Sequence, residues 1–179
     1  MPLVGLGTYL LNNDQAAKSV GHALANGYRL IDTAEFYGNH AGIAQGIEAS
    51  GVKRSDFFIT DKVSPGGHFG VCSKSADDIF ATLKKNLSLL KTEYVDLFLI
   101  HYPGATTEER LEQWGAMISL VEQGLTKHIG VSNYSEAHLE EIKAAGLRAP
   151  EVNQIEIHPL ALQSSLVAYL RENNISITA

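Results

Sequence analysis

Four short apolar runs of this sequence end in polar residues able to do chemistry. Tyr28-Arg29-Leu30-Ile31 ends in Asp32, and Phe57-Phe58-Ile59-Thr60 is followed by Lys62. Leu97-Phe98-Leu99-Ile100 ends in His101, and Ile129-Gly130-Val131 ends in Ser132-Asn133. Tyr37 lies five residues after Asp32, and Asn153-Gln154 sits in a further run. A phenol is a weak acid near neutrality, with an ordinary pKa of about 10. A lysine ammonium beside it favours the phenolate and is expected to lower that value. A carboxylate can orient the ammonium, and a histidine can hydrogen-bond a carbonyl oxygen or the phenol. Together they make a proton donor facing a polarised carbonyl, with no nucleophile required. Reducing a carbonyl also takes a hydride, which no side chain supplies, so a nicotinamide cofactor is implied. Ser132, Asn133 and Gln154 carry donors and acceptors that suit a carboxamide.

Singly, each residue has a plainer reading. A strand-end Asp caps helices, a Tyr packs, and a Lys is solvated. Successive strands ending in Asp, Lys, His and Ser-Asn are a much rarer coincidence. It carries meaning only if the fold brings those ends to one place.

The elements that must do so follow from periodicity. Strands are expected at Leu3–Thr8, Tyr28–Asp32, Phe57–Thr60, Val95–His101, His128–Ser132, Val152–Ile157 and Ile175–Ala179. Helical stripes lie between them, such as Ile79, Leu83, Leu87, Leu90 and Leu111, Trp114, Ile118, Val121. Asn12 or Asn13 caps the first helix and Asn26-Gly27 ends it. Ser75, with Asp78 three residues on, caps the third. Gly124 follows the fourth, Glu108-Glu109 suits its first turn, and Ser135 and Gly146 bracket the fifth. The order is six β/α units and a seventh strand, which implies a parallel sheet. No linker divides the chain, so residues 1–179 read as one domain. An insertion at Ser64–Ser73, with Gly66, Gly67 and Gly70, reads as a mobile loop.

Two parallel architectures compete. A doubly wound sheet opens with G-x-G-x-x-G, and Gly5-Leu6-Gly7-Thr8-Tyr9-Leu10 has only the first two glycines. A (β/α)8 barrel gathers the C-terminal ends of its strands at one mouth.

Composition narrows the function classes. The 179 residues carry 14 Lys and Arg against 20 Asp and Glu, a net charge of −6. No basic stripe is available for nucleic acid. No apolar run approaches the roughly 20 residues of a membrane helix, and no signal peptide is recognisable. The histidines show no metal-ligand spacing, and the single cysteine, Cys72, sits in a polar stretch. A cytoplasmic protein with neither metal, membrane nor nucleic-acid partner is expected. Trp114 reads as core, and His158-Pro159 as a turn.

The sequence resembles the aldo-keto reductase family. The matching blocks are Gly5-Leu6-Gly7-Thr8, Gly27 through Ala34 with Tyr37-Gly38-Asn39, and Phe58-Ile59-Thr60 with Lys62. They continue with Val95-Asp96-Leu97 through His101-Tyr102-Pro103, Ile129 through Tyr134, and Val152-Asn153-Gln154 through His158-Pro159. The resemblance implies a (β/α)8 TIM barrel, incomplete here at about six units plus strand seven. It implies a catalytic tetrad of Asp32, Tyr37, Lys62 and His101, with Tyr37 as general acid. It implies that Ser132, Asn133 and Gln154 hold a nicotinamide, with Thr8 and Asp32 near its ribose. Tyr9, Phe36 and His101 then line the pocket for a small-molecule aldehyde or ketone, reduced to an alcohol with NADPH.

Departures from the family pattern stand beside it. His40 replaces a usual Glu, and Val63-Ser64-Pro65-Gly66 follows Lys62 where an aromatic is common. A barrel-floor hairpin is expected before Met1. An aromatic that stacks on the nicotinamide, an eighth strand and a basic phosphate loop are expected after Ala179. The 179 residues fall short of the about 250 of a full barrel. The chain therefore reads as truncated at the C-terminus and at the N-terminus. The alternative to an enzyme is a catalytically inactive fragment, or a regulatory or binding subunit that keeps the fold.

Overall fold

A computed structural model of the chain describes residues 1–67 and 72–179. Strands and helices alternate as β1 (Leu6–Gly7), α1 (Asn13–Ala25), β2 (Leu30–Asp32), α2 (His40–Ser50), β3 (Phe58–Val63), α3 (Ala76–Leu90) and β4 (Val95–Ile100). They continue as α4 (Thr107–Glu122), β5 (Thr126–Ser132), α5 (Glu136–Ala144), β6 (Val152–Gln154), α6 (Ser164–Glu172) and β7 (Ser176–Thr178). Short 3-10 turns at Glu35–Tyr37 and Arg54–Asp56 precede α2 and β3.

The expected caps form. Asn12 accepts from the backbone N–H of Gln15, and Ser75 from that of Asp78, each with the reciprocal bond of a capping box. Thr106 does the same with Glu109. Ser135 caps α5, and Gly27, Gly124 and Gly146 follow their helices with positive φ. The outer strands are shorter than periodicity suggests. Leu3 and Val4 are solvent-exposed and lie outside β1, which pairs on one side only. β6 leaves the sheet after Gln154, where β7 runs out of partners. In the other direction β5 begins earlier, at Thr126, and β3 extends to Val63, because β4 pairs along both.

All seven strands are parallel, and each neighbours the next in sequence. That order excludes the doubly wound alternative, in which the chain starts mid-sheet and reverses. A further contact shows that the sheet curls. In a flat sheet β2 and β6 lie four strand spacings apart, roughly 19 Å. Yet Gln154 Nε2 at the end of β6 donates to Asp32 Oδ2 at the end of β2 across 2.9 Å. The sheet is a curled part of a (β/α) barrel.

Alternation along each strand sorts the core. Phe98 and Ile100 face outward and pack with Ile59, Ile129, Val131 and the apolar stripes of the helices. Leu97 and Leu99 face inward, against Val152 and Phe58. The interior is crowded at Gly130, where a Cβ would stand 2.4 Å from the Val152 carbonyl oxygen. Outside, a Cβ on Gly42 would stand 2.1 Å from the Asn13 carbonyl oxygen, so glycine there sets the close approach of α2 to α1. Trp114 is fully buried, and its Nε1–H donates to the Arg148 carbonyl at 2.7 Å. His158 turns the chain after β6 through a bridge to Ala161. Of the Ser64–Ser73 insertion, residues 68–71, including Gly70, lie outside the described residues. Among the described residues no helix is long and apolar enough to cross a membrane.

Candidate active site

The curl brings the polar strand ends together. Asp32 ends β2 and Lys62 lies near the end of β3. His101 follows β4, Ser132-Asn133 ends β5, and Gln154 ends β6. Tyr37 arrives on the 3-10 turn Glu35–Tyr37, which Gly38 terminates with a φ of 65°. That turn is anchored from below by Lys74, whose Nζ lies 2.6 Å from both Glu35 carboxylate oxygens.

Lys62 is 1% exposed, on the inward face beside Leu99. Its ammonium donates to Asp32 Oδ1 and, at 3.0 Å, to the Thr33 carbonyl. Gln154 takes the other Asp32 oxygen. Asp32 is thus held from two sides, and Lys62 Nζ lies 5.3 Å from the centre of the Tyr37 ring. His101 meets the same ring edge-on, with centroids 5.7 Å apart and planes at 77°. Tyr9 packs on it at 5.0 Å.

The other expected residues gather round this group. Thr8 is buried, and both its backbone N–H and its Oγ1 donate to the Asp32 carbonyl at 3.0 Å. Ser132 Oγ donates to the Gln154 carbonyl at 3.0 Å. Asn133, at a positive φ of 61°, donates through Nδ2 to the His101 carbonyl and to Ser132 Oγ. Tyr9 and Phe36 are exposed at the rim. They line a cavity of about 790 Å³ whose walls include Tyr37, His101, Tyr102 and Pro103. Arg110 and His138 close its far side. Sequence reasoning missed those two. They sit on helices α4 and α5, and nothing in their neighbourhood distinguishes them from ordinary surface residues. Tyr102 had a signal, because it follows His101 at a strand end.

One expectation is corrected. Lys62 was expected to lower the Tyr37 phenol, but burial pushes it up to about 12, and Asp32, Tyr9 and Asp61 push the same way. The physical reason is that desolvation outweighs the ammonium, whose pull on the phenol is opposed by the Asp32 carboxylate it contacts. Tyr37 therefore keeps its proton throughout the neutral range. His101 moves the other way, down to about 4, through burial and then the Lys62 charge, partly offset by Asp32, Asp61 and Glu35. It is a neutral imidazole at pH 7, and its buried Nδ1 has no hydrogen-bond partner among the described residues.

The His101 shift has a consequence for stability. Its folded value of about 4 lies below the ordinary 6.5. Between those limits the unfolded chain binds a proton that folded His101 does not. The unfolding free energy is therefore expected to be full above about pH 6.5 and to fall as pH falls towards about 4. An NMR titration of the imidazole tests this, and a midpoint near the ordinary value would contradict it.

The sequence model described as the aldo/keto reductase family matches residues 3–179. The chain belongs to this family of oxidoreductases. An aldo-keto reductase from Mycolicibacterium vanbaalenii is 42% identical over 175 residues, covering 98% of this chain and 61% of its own length. A protein of Yersinia pestis named methylglyoxal reductase DkgB is 35% identical over the whole chain and 66% of its own length. Among solved structures, an aldo/keto reductase from Brucella melitensis superposes with a TM-score of 0.92 at 38% identity. It covers all of this chain and 66% of its own. A Bombyx mori aldo-keto reductase in complex with NADP superposes with a TM-score of 0.88 at 31% identity, over all of this chain and 62% of its own. The chain thus spans about three fifths of the length of the relatives it matches. Among the described residues, no group of three or more His, Cys, Asp or Glu side chains is placed to hold a metal ion.

Proposed function

We propose that the full-length protein reduces an aldehyde or ketone to an alcohol with NADPH, in the cytoplasm, with Tyr37 as general acid. The observation that carries this reading is the contact of Lys62 with Asp32 beneath the Tyr37 ring, beside a neutral His101. A nicotinamide would be held by Ser132, Asn133 and Gln154. Asn133 Oδ1 and Gln154 Oε1 are acceptors for its amide N–H groups, and Gln154 has a second N–H for its carbonyl. Gln154 also borders a cavity of about 440 Å³ that runs between the edge strands β1 and β7, lined by Met1, Leu3, Gly7, Asp32 and Thr178. The Thr178 hydroxyl at its edge is buried without a partner among the described residues. When bound, NADPH would supply the hydride.

The chain's own residues account for the proton. The neutral imidazole of His101 donates to the carbonyl oxygen and orients it against Tyr37. As the oxygen gains charge, Tyr37 transfers its phenolic proton. The raised phenol is no obstacle. An alkoxide is about as basic as hydroxide, whose conjugate acid has a pKa of about 15.7. A phenol at about 12 is still the stronger acid. The new phenolate is then stabilised by the Lys62 ammonium. Tyr9, Phe36 and Tyr102 give the substrate an aromatic, water-poor wall.

The test uses the full-length protein, NADPH carrying deuterium at the transferred position, and a carbonyl panel that starts with methylglyoxal. Deuterium on the carbinol carbon of the product is expected, and NADH in parallel measures cofactor preference. Nucleotide binding without turnover of any carbonyl would instead favour the alternative, a fold-retaining subunit without chemistry.

A further inference from the structure

Behind the site, on the outer face of β3, lies a second buried polar group. Asp61 is fully buried, and alternation turns it away from the barrel interior just as it turns Lys62 inward. His40 Nε2 lies 3.0 Å from Asp61 Oδ1, and Asn86 Nδ2 donates to Asp61 Oδ2 at 2.8 Å. His40 and Asn86 are each 2% exposed. Three elements thus meet on one carboxylate: the first residue of α2, the strand that carries Lys62, and α3.

The residue before His40 completes the arrangement. Asn39 is also buried, and Thr33 Oγ1 donates to its Oδ1 at 3.1 Å. Its Nδ2 donates to the carbonyls of Thr8, at 2.8 Å, and Leu11. Thr33 follows Asp32, and its carbonyl accepts from Lys62 Nζ. Two adjacent side chains at the start of α2 therefore grip two neighbouring strands. Asn39 holds the end of β2, whose inward residue is Asp32. His40 holds β3 at Asp61, whose next residue is Lys62.

We propose that His40, Asp61 and Asn86 are positioning residues that hold Lys62 on Asp32 from behind β3. A purely packing role would call for apolar residues here, since burying a carboxylate is costly unless it is paired. A paired carboxylate instead fixes direction, because hydrogen bonds specify geometry where apolar contacts do not. The tolerance is small, as a displacement of about 1 Å at reacting groups can cost about 10²-fold in rate. Asp61 also reaches the site through its charge, pushing up both Tyr37 and His101.

This inference rests on the proposed carbonyl reduction, so its test has a readout independent of turnover. The full-length protein is compared with H40L, H40Q and D61N. In H40L the Asp61 carboxylate loses its α2 partner. Its kcat per folded molecule is expected to fall about tenfold or more, with NADPH affinity and carbonyl KM within about twofold. H40Q keeps a donor at the position of Nε2 and is expected to recover most of the kcat. Crystal structures of H40L and D61N are expected to show Lys62 Nζ withdrawn from Asp32. Unchanged kcat with the Lys62–Asp32 contact intact would overturn the proposal, even if thermal stability fell. If H40L does not fold, D61N gives the same reading with less change in shape. A wild-type protein inactive on every carbonyl would defeat the proposed function alone, and the position of Lys62 in the variants would still decide the clamp.

Discussion

Tyr37→Phe in the full-length protein is expected to lower kcat for carbonyl reduction by about 10²–10⁴-fold, the usual weight of a positioned general acid. NADPH affinity should stay within about twofold. The substitution removes one oxygen and leaves the ring, so the packing of Tyr9 and His101 on it persists. It also leaves no charge unpaired, because the phenol is neutral in the resting site. Loss of rate therefore reads the proton and little else. The rate of the wild-type protein should also lack a basic limb from Tyr37 below about pH 12, since burial and Asp32 keep the phenol protonated. Steady-state rates against pH, with nucleotide titrations beside them, check both statements. Unchanged turnover in the variant would remove Tyr37 from its role.

Much of the candidate site was legible because four apolar runs end in polar residues. Asp32, Lys62 and His101 stand out for that reason, and caps such as Ser75 with Asp78 mark where α3 starts. Periodicity gives strands and not their neighbours, so the barrel order rested on the family resemblance. The Gln154–Asp32 bond, spanning 122 positions of sequence, is the kind of contact that decides it. The direction of the Tyr37 shift was misread for a related reason. A lysine's effect on a phenol depends on where its charge is engaged, and here that is Asp32. The His40–Asp61–Asn86 group was hidden more deeply. Asp61 interrupts an apolar strand, and its partners lie 21 and 25 positions away on two helices. His40 was visible only as a departure from a family pattern, with no sign of what it touches.

Lys62→Met separates what the ammonium does for stability from what it does for the reaction. Methionine nearly matches the aliphatic stem, so the loss is that of the charge and its bonds to Asp32 and the Thr33 carbonyl. Removing one partner of a buried pair typically costs about 3–5 kcal/mol. Here the lower end is expected, because Asp32 is 21% exposed and keeps Gln154. The rate is expected to fall by about 10²-fold or more, for two reasons of the same sign. The uncompensated Asp32 charge pushes the phenol higher still, making Tyr37 a poorer acid. The phenolate left after proton transfer also loses its counter-charge. Adding Asp32→Asn removes the stranded carboxylate. The double variant should therefore regain part of the lost stability, so that the two changes are non-additive. It should regain little activity, because no cation remains to support the phenolate. Urea unfolding and kcat, measured on both single variants and the double, test this divergence. Additive stability losses, or activity that recovers in step with stability, would show that the pair serves the fold and not the proton transfer.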